Sequence, residues 1–159
     1  VDVRLDAATD EIELRGPNVF SGYWRRPDAT AEAFDGEWFR TGDVGSFDHD
    51  GYLRIVGRRK ELIISGGYNV YPREVEDVLR EHPAVEDVAV VGLPHPDWGE
   101  QVVAVVEGAG GEGLGAALRD HAGERLAPYK RPKRIVFVDA LPRNALGKVV
   151  KEQVVDGLR

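Results

Sequence analysis

The chain has 159 residues and a formal net charge of −7, with 42% hydrophobic and 31% charged residues. This length suits one or two small domains with a buried core, and the negative charge argues against a general nucleic-acid partner. The absence of cysteine excludes disulfides, thiolate metal sites and a thiol nucleophile. No apolar run has the length of a membrane span and no signal-peptide pattern is present, so we expect a cytoplasmic protein. Because the chain begins at Val1 and contains no Met, we expect it to be part of a longer polypeptide.

The first 57 residues have the pattern of β-hairpins. Apolar and charged residues alternate over 1–5 and again over 12–14, which predicts a hairpin with one buried face. A short helix is predicted to follow up to Phe34, with Asp28 as its N-cap. A second hairpin is predicted over 44–56, with its turn at 48–51. This part of the chain resembles the end of a β-rich domain.

Residues 57–76 read GRRKELIISGGYNVYPREVE and run from a basic turn through an apolar strand and a double glycine into a helix. Because Gly66 and Gly67 have no side chains, another molecule can approach the backbone closely at this point. Pro72 suits the first position of the helix, which is predicted to end at 82–83. We interpret the segment as a junction between two domains, with a ligand passage beside it.

The remaining residues predict a mixed α/β unit. Continuous β-branched runs at 88–91 and 102–106 are typical of strands that are covered on both faces. Two further buried strands are predicted at 62–64 and 135–138, and two helices at 114–126 and 151–158. The predicted fold class is therefore α+β. It comprises a β-rich segment at 1–57, a hinge at 58–60, and a mixed α/β domain at 61–159.

The loop at 141–148, LPRNALGK, places Lys148 directly after a glycine in a polar turn. A lysine in such a turn can extend its ammonium into a neighbouring active site and stabilise developing negative charge. The same pattern also describes a solvated surface lysine. The loop alone therefore leaves both interpretations open.

Three motifs in this order resemble the adenylate-forming enzyme superfamily: WFRTGD at 38–43, GRRKELIISGG at 57–67 and LPRNALGK at 141–148. That superfamily includes acyl-CoA synthetases, firefly luciferase-like enzymes and the adenylation domains of peptide synthetases. The resemblance covers essentially the whole chain. It implies the end of a large N-terminal domain followed by the complete small C-terminal domain. The segments IISGGYNVYPREVE and FVDALPRNALGKVVKE are most similar to malonyl-CoA synthetases, with aryl- and fatty-acyl-CoA ligases close behind.

The resemblance implies a reaction in two steps. A carboxylate attacks the α-phosphate of ATP to give an acyl-adenylate and pyrophosphate, and the thiol of coenzyme A then displaces AMP. The C-terminal domain is expected to rotate between the steps. Mg²⁺ is expected to accompany ATP, but no residue here suggests a metal ligand. The four histidines lack metal-ligand spacing (His49, His82, His95 and His121).

The resemblance also implies roles for four residues in adenylation. Asp43 matches the aspartate that accepts both ribose hydroxyls, and Arg58 matches an arginine that contacts the nucleotide. Lys60 occupies the hinge position, where a few residues absorb a large backbone rotation. Lys148 matches the catalytic lysine that bridges the substrate carboxylate and the α-phosphate of ATP. The alternative for Asp43 is an ordinary aspartate in a turn, and the alternative for each of the three cations is a solvated surface side chain.

Seven residues are assigned to coenzyme A by the same resemblance. Glycines and a tyrosine border the pantetheine tunnel, a tryptophan forms its wall, a second tyrosine stacks on adenine, and two cations hold phosphates. The alternatives are a plain glycine turn, ordinary surface or core aromatics, and a solvated basic face. The residues that border the tunnel are Gly66, Gly67 and Tyr68, and its wall is Trp98. The tyrosine on adenine is Tyr129, and the two cations are Arg131 and Lys133.

Two elements of the superfamily are not found in the chain: the Ser/Thr/Gly-rich phosphate loop and the acyl-binding pocket. We therefore expect the 159-residue chain alone to be inactive and to depend on the preceding N-terminal domain of the same enzyme. The acid is expected to be malonate or another small carboxylic acid.

Two other interpretations remain open. The acyl group could go to a carrier protein, although the basic cluster at 129–133 favours free coenzyme A. The chain could also be a non-catalytic domain recognised by a lysine acetyltransferase that modifies Lys148, since acylation removes the positive charge.

Overall fold

The computed structural model describes all 159 residues in two compact units, Val1–Lys60 and Glu61–Arg159. Each unit contains one five-stranded sheet. The mixed α/β architecture predicted for the second part of the chain is confirmed. None of the helices combines the length and apolar character needed to cross a bilayer.

The first unit is an antiparallel sheet. Its strands are β1 (Asp2–Leu5), β2 (Glu11–Arg15), β3 (Phe34–Asp35), β4 (Trp38–Phe47) and β5 (Leu53–Arg58), and α1 (Pro27–Ala33) precedes β3. The strand order is β1-β2-β4-β3, with β5 also paired to β4. Both predicted hairpins are present, but the second begins earlier than predicted, because the TGD motif is itself part of β4.

The predicted N-cap of α1 is wrong. The helix begins at Pro27 and its N-cap is Arg26, which places Asp28 in the first turn. Proline is favoured at the first helical position because its missing N–H is not needed there and its φ is already helical. This preference outweighed the capping tendency of the aspartate.

The second unit is built on a mixed sheet. Its strands are β6 (Ile63–Ser65), β7 (Tyr68–Val70), β8 (Asp87–His95), β9 (Gly99–Glu107) and β10 (Arg134–Val138). The order is β10-β9-β6-β7, with β8 also paired to β9. Only β9 and β10 run parallel. The helices are α2 (Pro72–Arg80), α3 (Leu114–Arg125) and α4 (Lys151–Asp156).

Alternate residues of β9 belong to two separate hydrophobic clusters. Val102, Ala104 and Val106 pack with residues of α2 and α3, whereas Val103 and Val105 pack with Leu141 and with Val154 of α4. Successive side chains of a strand point to opposite faces of its sheet. The prediction that the β-branched runs are covered on both faces is therefore confirmed.

One hairpin was not predicted. The sequence predicts one strand at 62–64, followed by the double glycine and a helix, whereas β6 and β7 pair as a hairpin around Gly66 and Gly67. These two glycines have φ values of 59° and 82°, and a Cβ atom at either position would meet nothing within 4 Å. The turn therefore requires glycine for its backbone conformation, because two-residue hairpins of this kind need positive φ at both central positions.

Candidate functional site

The TGD motif holds Asp43 on a tightly hydrogen-bonded backbone. The Asp43 N–H donates to Thr41 Oγ1 at 3.1 Å, and that hydroxyl donates to the Ile12 carbonyl at 2.8 Å. Gly42 has a φ of 75°, and its N–H donates to Glu11 Oε1 at 2.9 Å. The aspartate is thus fixed on β4, with 22% of its side chain exposed.

Arg58 is the register partner of Asp43 across β4 and β5, and its Nε lies 2.7 Å from Asp43 Oδ1. The two residues predicted to contact the nucleotide therefore form one ion pair. Arg58 is 54% exposed, so the pair adds little to stability by itself. A carboxylate beside a guanidinium on a solvent-facing strand pair is a suitable acceptor for hydroxyl groups.

Glu11 was missed by the sequence analysis. Alternation with Ile12 and Leu14 predicts that it faces solvent, yet its side chain is only 5% exposed and its Oε2 accepts from Arg59 Nη1 at 2.7 Å. Glu11 thereby connects the TGD backbone to the residue that follows Arg58. Lys60, the predicted hinge residue, is exposed in the short 3₁₀ helix Arg59–Glu61.

The loop that carries Lys148 is closed by its own hydrogen bonds. Asn144 Oδ1 accepts from the N–H groups of Leu146 and Lys148, each at 3.0 Å. The Asn144 N–H donates to the Lys148 carbonyl at 2.9 Å, and Gly147 has a φ of 77°. Lys148 is exposed and makes no ion pair within the chain. Its ammonium is therefore presented from an ordered backbone and is available to an external anion.

Arg143 anchors this loop to the sheet. Its Nη2 lies 2.7 Å from Asp87 Oδ2 and 3.1 Å from Glu107 Oε2, and its Nη1 donates to the Gly147 carbonyl at 3.2 Å. Burial alone would raise the pKa of Asp87, but hydrogen bonds from Arg143, the Val88 N–H and Arg80 hold it below its ordinary value of 3.8. The motif alone does not predict this role of Arg143, because its carboxylate partners lie 56 and 36 residues away in the sequence.

The pKa of Glu107 also lies below its ordinary value, which is 4.5. The Leu141 N–H donates to this carboxylate and Arg143 adds a second hydrogen bond, so the ionised form is favoured. The first part of the 141–148 loop is thus attached to β8 and β9 through Leu141 and Arg143, and Arg143 in turn holds the carbonyl of Gly147.

Five of the residues predicted to bind coenzyme A contact one another on the second unit. Tyr68 and Tyr129 are stacked, with ring centroids 4.6 Å apart. The Gly66 N–H donates to the Trp98 carbonyl at 2.8 Å. Lys133 Nζ lies 5.6 Å from the centroid of the Trp98 ring. Gly67 completes the turn between Gly66 and Tyr68, so six of the seven predicted residues belong to one surface.

The basic cluster at 129–133 is less available for phosphates than its composition indicates. Lys130 Nζ is held between both oxygens of Glu74, at 2.7 and 2.8 Å. Arg131 donates to the carbonyls of Leu126 and Gly123 at 2.9 and 2.8 Å, which satisfies the end of α3. Lys133 has one internal hydrogen bond, to the Pro128 carbonyl at 3.0 Å, and is the cation most exposed to a ligand.

No group of three or more His, Asp or Glu side chains in the chain is arranged to hold a metal ion. The residues present do not fit the Mg²⁺ ion that the resemblance implies, so none of them is assigned to it.

Comparison with known proteins identifies the central part of the second unit. Residues 74–148 match the AMP-binding enzyme C-terminal domain. These residues belong to that family. The match contains all but the first two residues of α2 and the hairpin of β8 and β9, and it ends at Lys148. It also contains the predicted coenzyme A residues Trp98, Tyr129, Arg131 and Lys133.

Relatives of the AMP-binding C-terminal domain extend the similarity to most of the chain. A 2-succinylbenzoate–CoA ligase from Geobacillus kaustophilus is 52% identical over 145 residues, which are 91% of this chain and 30% of that protein. An indoleacetate–CoA ligase from Aromatoleum aromaticum is 52% identical over 149 residues, which are 92% of this chain and 29% of that protein. The chain thus spans about 30% of the length of the curated relatives it matches.

A solved structure shows the same similarity. The o-succinylbenzoate CoA synthetase MenE from Bacillus subtilis, in complex with its acyl-adenylate intermediate, gives a TM-score of 0.86 at 38% sequence identity. The match covers 96% of this chain and 33% of that one. The predicted relationship to the C-terminal portion of adenylate-forming acyl-CoA ligases is confirmed.

Proposed function

We propose that this chain is the C-terminal part of an ATP-dependent acyl-CoA synthetase. The full enzyme converts an acid, ATP and coenzyme A into an acyl-CoA, AMP and pyrophosphate through an acyl-adenylate. The observation that carries the proposal is the loop at 141–148. It presents an unpaired lysine from an ordered backbone, within a domain whose relatives are CoA ligases.

In adenylation, Lys148 bridges the substrate carboxylate and the α-phosphate. Negative charge builds up on the phosphoryl oxygens as pyrophosphate leaves, and a fixed cation lowers the energy of that state. Asp43 accepts hydrogen bonds from the ribose hydroxyls of the nucleotide. Arg58 orients the Asp43 carboxylate and also contacts the nucleotide. Lys60 is the hinge about which the second unit rotates after adenylation.

In thioester formation, the surface formed by Gly66, Gly67, Tyr68, Trp98 and Tyr129 borders the pantetheine chain and the adenine. Lys133 holds a phosphate of coenzyme A. Arg131 is assigned to the same phosphates, but its contacts with two carbonyls at the end of α3 give it a structural task as well. The exposed Lys133 favours free coenzyme A over a carrier-protein arm, which has no 3′-phosphate.

We propose a small carboxylic acid such as malonate as the substrate. The matched relatives are named for different acids, 2-succinylbenzoate and indoleacetate, although both are 52% identical to this chain. Identity over this part of the enzyme therefore does not discriminate between acids, and the test must use a panel.

A second role for Lys148 follows from its exposure. A lysine acetyltransferase can reach an ordered, exposed loop whose ammonium has no internal partner. Acetylation removes the charge that adenylation needs, so the same residue serves as a regulatory site.

The proposal is tested by measuring pyrophosphate release from ATP with the full-length protein that contains this chain. The panel contains malonate, 2-succinylbenzoate, indoleacetate, benzoate and fatty acids of several lengths. We expect acid-dependent release that requires Mg²⁺, and no release from the 159-residue chain alone. Absence of release with every acid in the full-length protein would contradict the proposed function.

A further inference from the structure

The turn that carries Gly66 and Gly67 has few connections to the main sheet. Between β6 and β9 the register contains a single pair, Ser65 with Gly99. The remaining pairs of β6 are with β7, the other strand of the same hairpin. The side chains of Ile63 and Val70 bury the base of the hairpin in the core, so what holds the turn itself relative to β9 is a small number of hydrogen bonds.

Glu100 supplies one of those contacts. Its Oε2 accepts from the Ile64 N–H at 2.8 Å. The next backbone contact is the bond from the Gly66 N–H to the Trp98 carbonyl, also at 2.8 Å. Next to the Ser65–Gly99 pair, the Glu100 carboxylate takes the place of a backbone carbonyl as the acceptor for β6. It thereby attaches β6 to the start of β9.

The chain makes room for this carboxylate at Gly92. A Cβ atom on Gly92 would lie 2.6 Å from Glu100 Oε1 and 3.1 Å from Ile63 Cγ2. Gly92 is in the middle of β8 and its φ is not positive, so its backbone does not require glycine. A Cβ atom at this position would displace the Glu100 carboxyl group and would also crowd Ile63. Gly92 leaves the space that the Glu100 carboxyl group occupies, and Glu100 holds β6 through the Ile64 N–H.

We propose that Glu100 is a positioning residue for thioester formation. It holds the 66–67 turn and Tyr68 against Trp98, so that the surface bordering coenzyme A is formed before the ligand arrives. The inference rests on the proposed function and deepens it by assigning a residue that does not itself touch coenzyme A. Without Glu100, the hairpin retains its own pairing and its buried side chains but loses one of the few hydrogen bonds that fix its turn relative to Trp98.

Four variants of the full-length protein test the inference, each measured in both half-reactions. Glu100→Ala removes the acceptor, and Glu100→Gln keeps an oxygen that can accept from the Ile64 N–H. Gly92→Ala displaces the carboxylate without altering Glu100. Gly111→Ala is the matched control, because a Cβ there meets nothing within 4 Å and the φ of Gly111 is not positive.

We expect Glu100→Ala and Gly92→Ala to raise the KM for coenzyme A about 5- to 10-fold, the equivalent of one hydrogen bond. Acid-dependent pyrophosphate release should stay within about twofold of wild type, which a general loss of folding would not allow. Glu100→Gln and Gly111→Ala should both resemble wild type.

The outcomes separate the inference from the function on which it rests. An unchanged KM for coenzyme A in Glu100→Ala, in a protein that forms the thioester, overturns the inference alone. Equal loss of both half-reactions also overturns it, because Glu100 would then support folding in general. If the wild-type protein forms an adenylate but no thioester with coenzyme A, both the inference and the coenzyme A assignment are wrong.

Discussion

Asp43 and Arg58 face each other across β4 and β5, with Arg58 Nε 2.7 Å from Asp43 Oδ1. The ion pair lies entirely within the first unit. Arg58 therefore has two tasks in the proposed enzyme, because it orients the carboxylate and also lies next to the predicted ribose. The pair connects the TGD motif to the residues that precede Lys60.

We predict that Asp43→Asn in the full-length protein raises the KM for ATP about 10-fold or more. An amide retains the shape of the side chain but accepts more weakly, and bonds to a charged acceptor contribute about 1.5–3 kcal/mol. Steady-state kinetics with varied ATP measures the effect. Asp50→Asn is the control, because Asp50 lies in the exposed turn between β4 and β5. An unchanged KM for ATP would make Asp43 a structural turn residue.

A second prediction compares two neighbouring lysines. Lys133→Ala should raise the KM for coenzyme A about 3- to 5-fold, the range expected of an exposed ion pair. Lys130→Ala should leave this KM unchanged, since Lys130 is already held by Glu74. With 3′-dephospho-CoA the effect of Lys133→Ala should disappear if Lys133 contacts the 3′-phosphate. Equal effects of the two substitutions would contradict the assignment.

The third prediction concerns acid stability. The pKa values of Asp87 and Glu107 are lowered in the folded chain, so the unfolded chain binds protons more tightly than the folded one. The free energy of unfolding should therefore rise with pH through the acid range. The contribution is complete above the ordinary values of 3.8 and 4.5 and is lost as the pH falls below them.

Arg143→Met removes a donor that both carboxylates share, so we expect a weaker dependence of unfolding on pH below about pH 5. Urea denaturation at several pH values measures it. Arg134→Met is a suitable control, because Arg134 lies exposed at the start of β10. A pH dependence identical to wild type would mean that the Arg143 contacts do not bias these pKa values.

Much of the fold follows from local patterns. The β-branched runs at 88–91 and 102–106 predict strands buried on both faces, and Val103 and Val102 do belong to different clusters. The pattern could not give the pairing of β8 and β9 as a hairpin, because runs of this kind are typical of parallel strands. The pairing of β6 with β7 was not predicted, because three-residue strands carry little periodicity.

The contacts that organise the candidate site were harder to predict. Glu11 alternates with apolar residues and is expected to be solvated, but Arg59 lies 48 positions away in sequence and covers it. Arg143 meets Asp87 at a separation of 56 residues. Sequence patterns report local conformation, whereas these ion pairs depend on the tertiary structure. The roles proposed for Lys148, Tyr129 and Trp98 rest on whole motifs that resemble a known superfamily, and they stay predictions.

The most direct test of the central claim is to separate the half-reactions in Lys148→Ala of the full-length protein. Adenylation is followed by pyrophosphate release, and thioester formation is followed from a synthetic acyl-adenylate and coenzyme A. Leu146→Ala is the control, since Leu146 is 82% exposed in the same loop. We predict that Lys148→Ala slows adenylation by about 10²-fold or more and leaves thioester formation within a few-fold of wild type. Unchanged adenylation, or equal loss of both steps, would contradict the role assigned to Lys148.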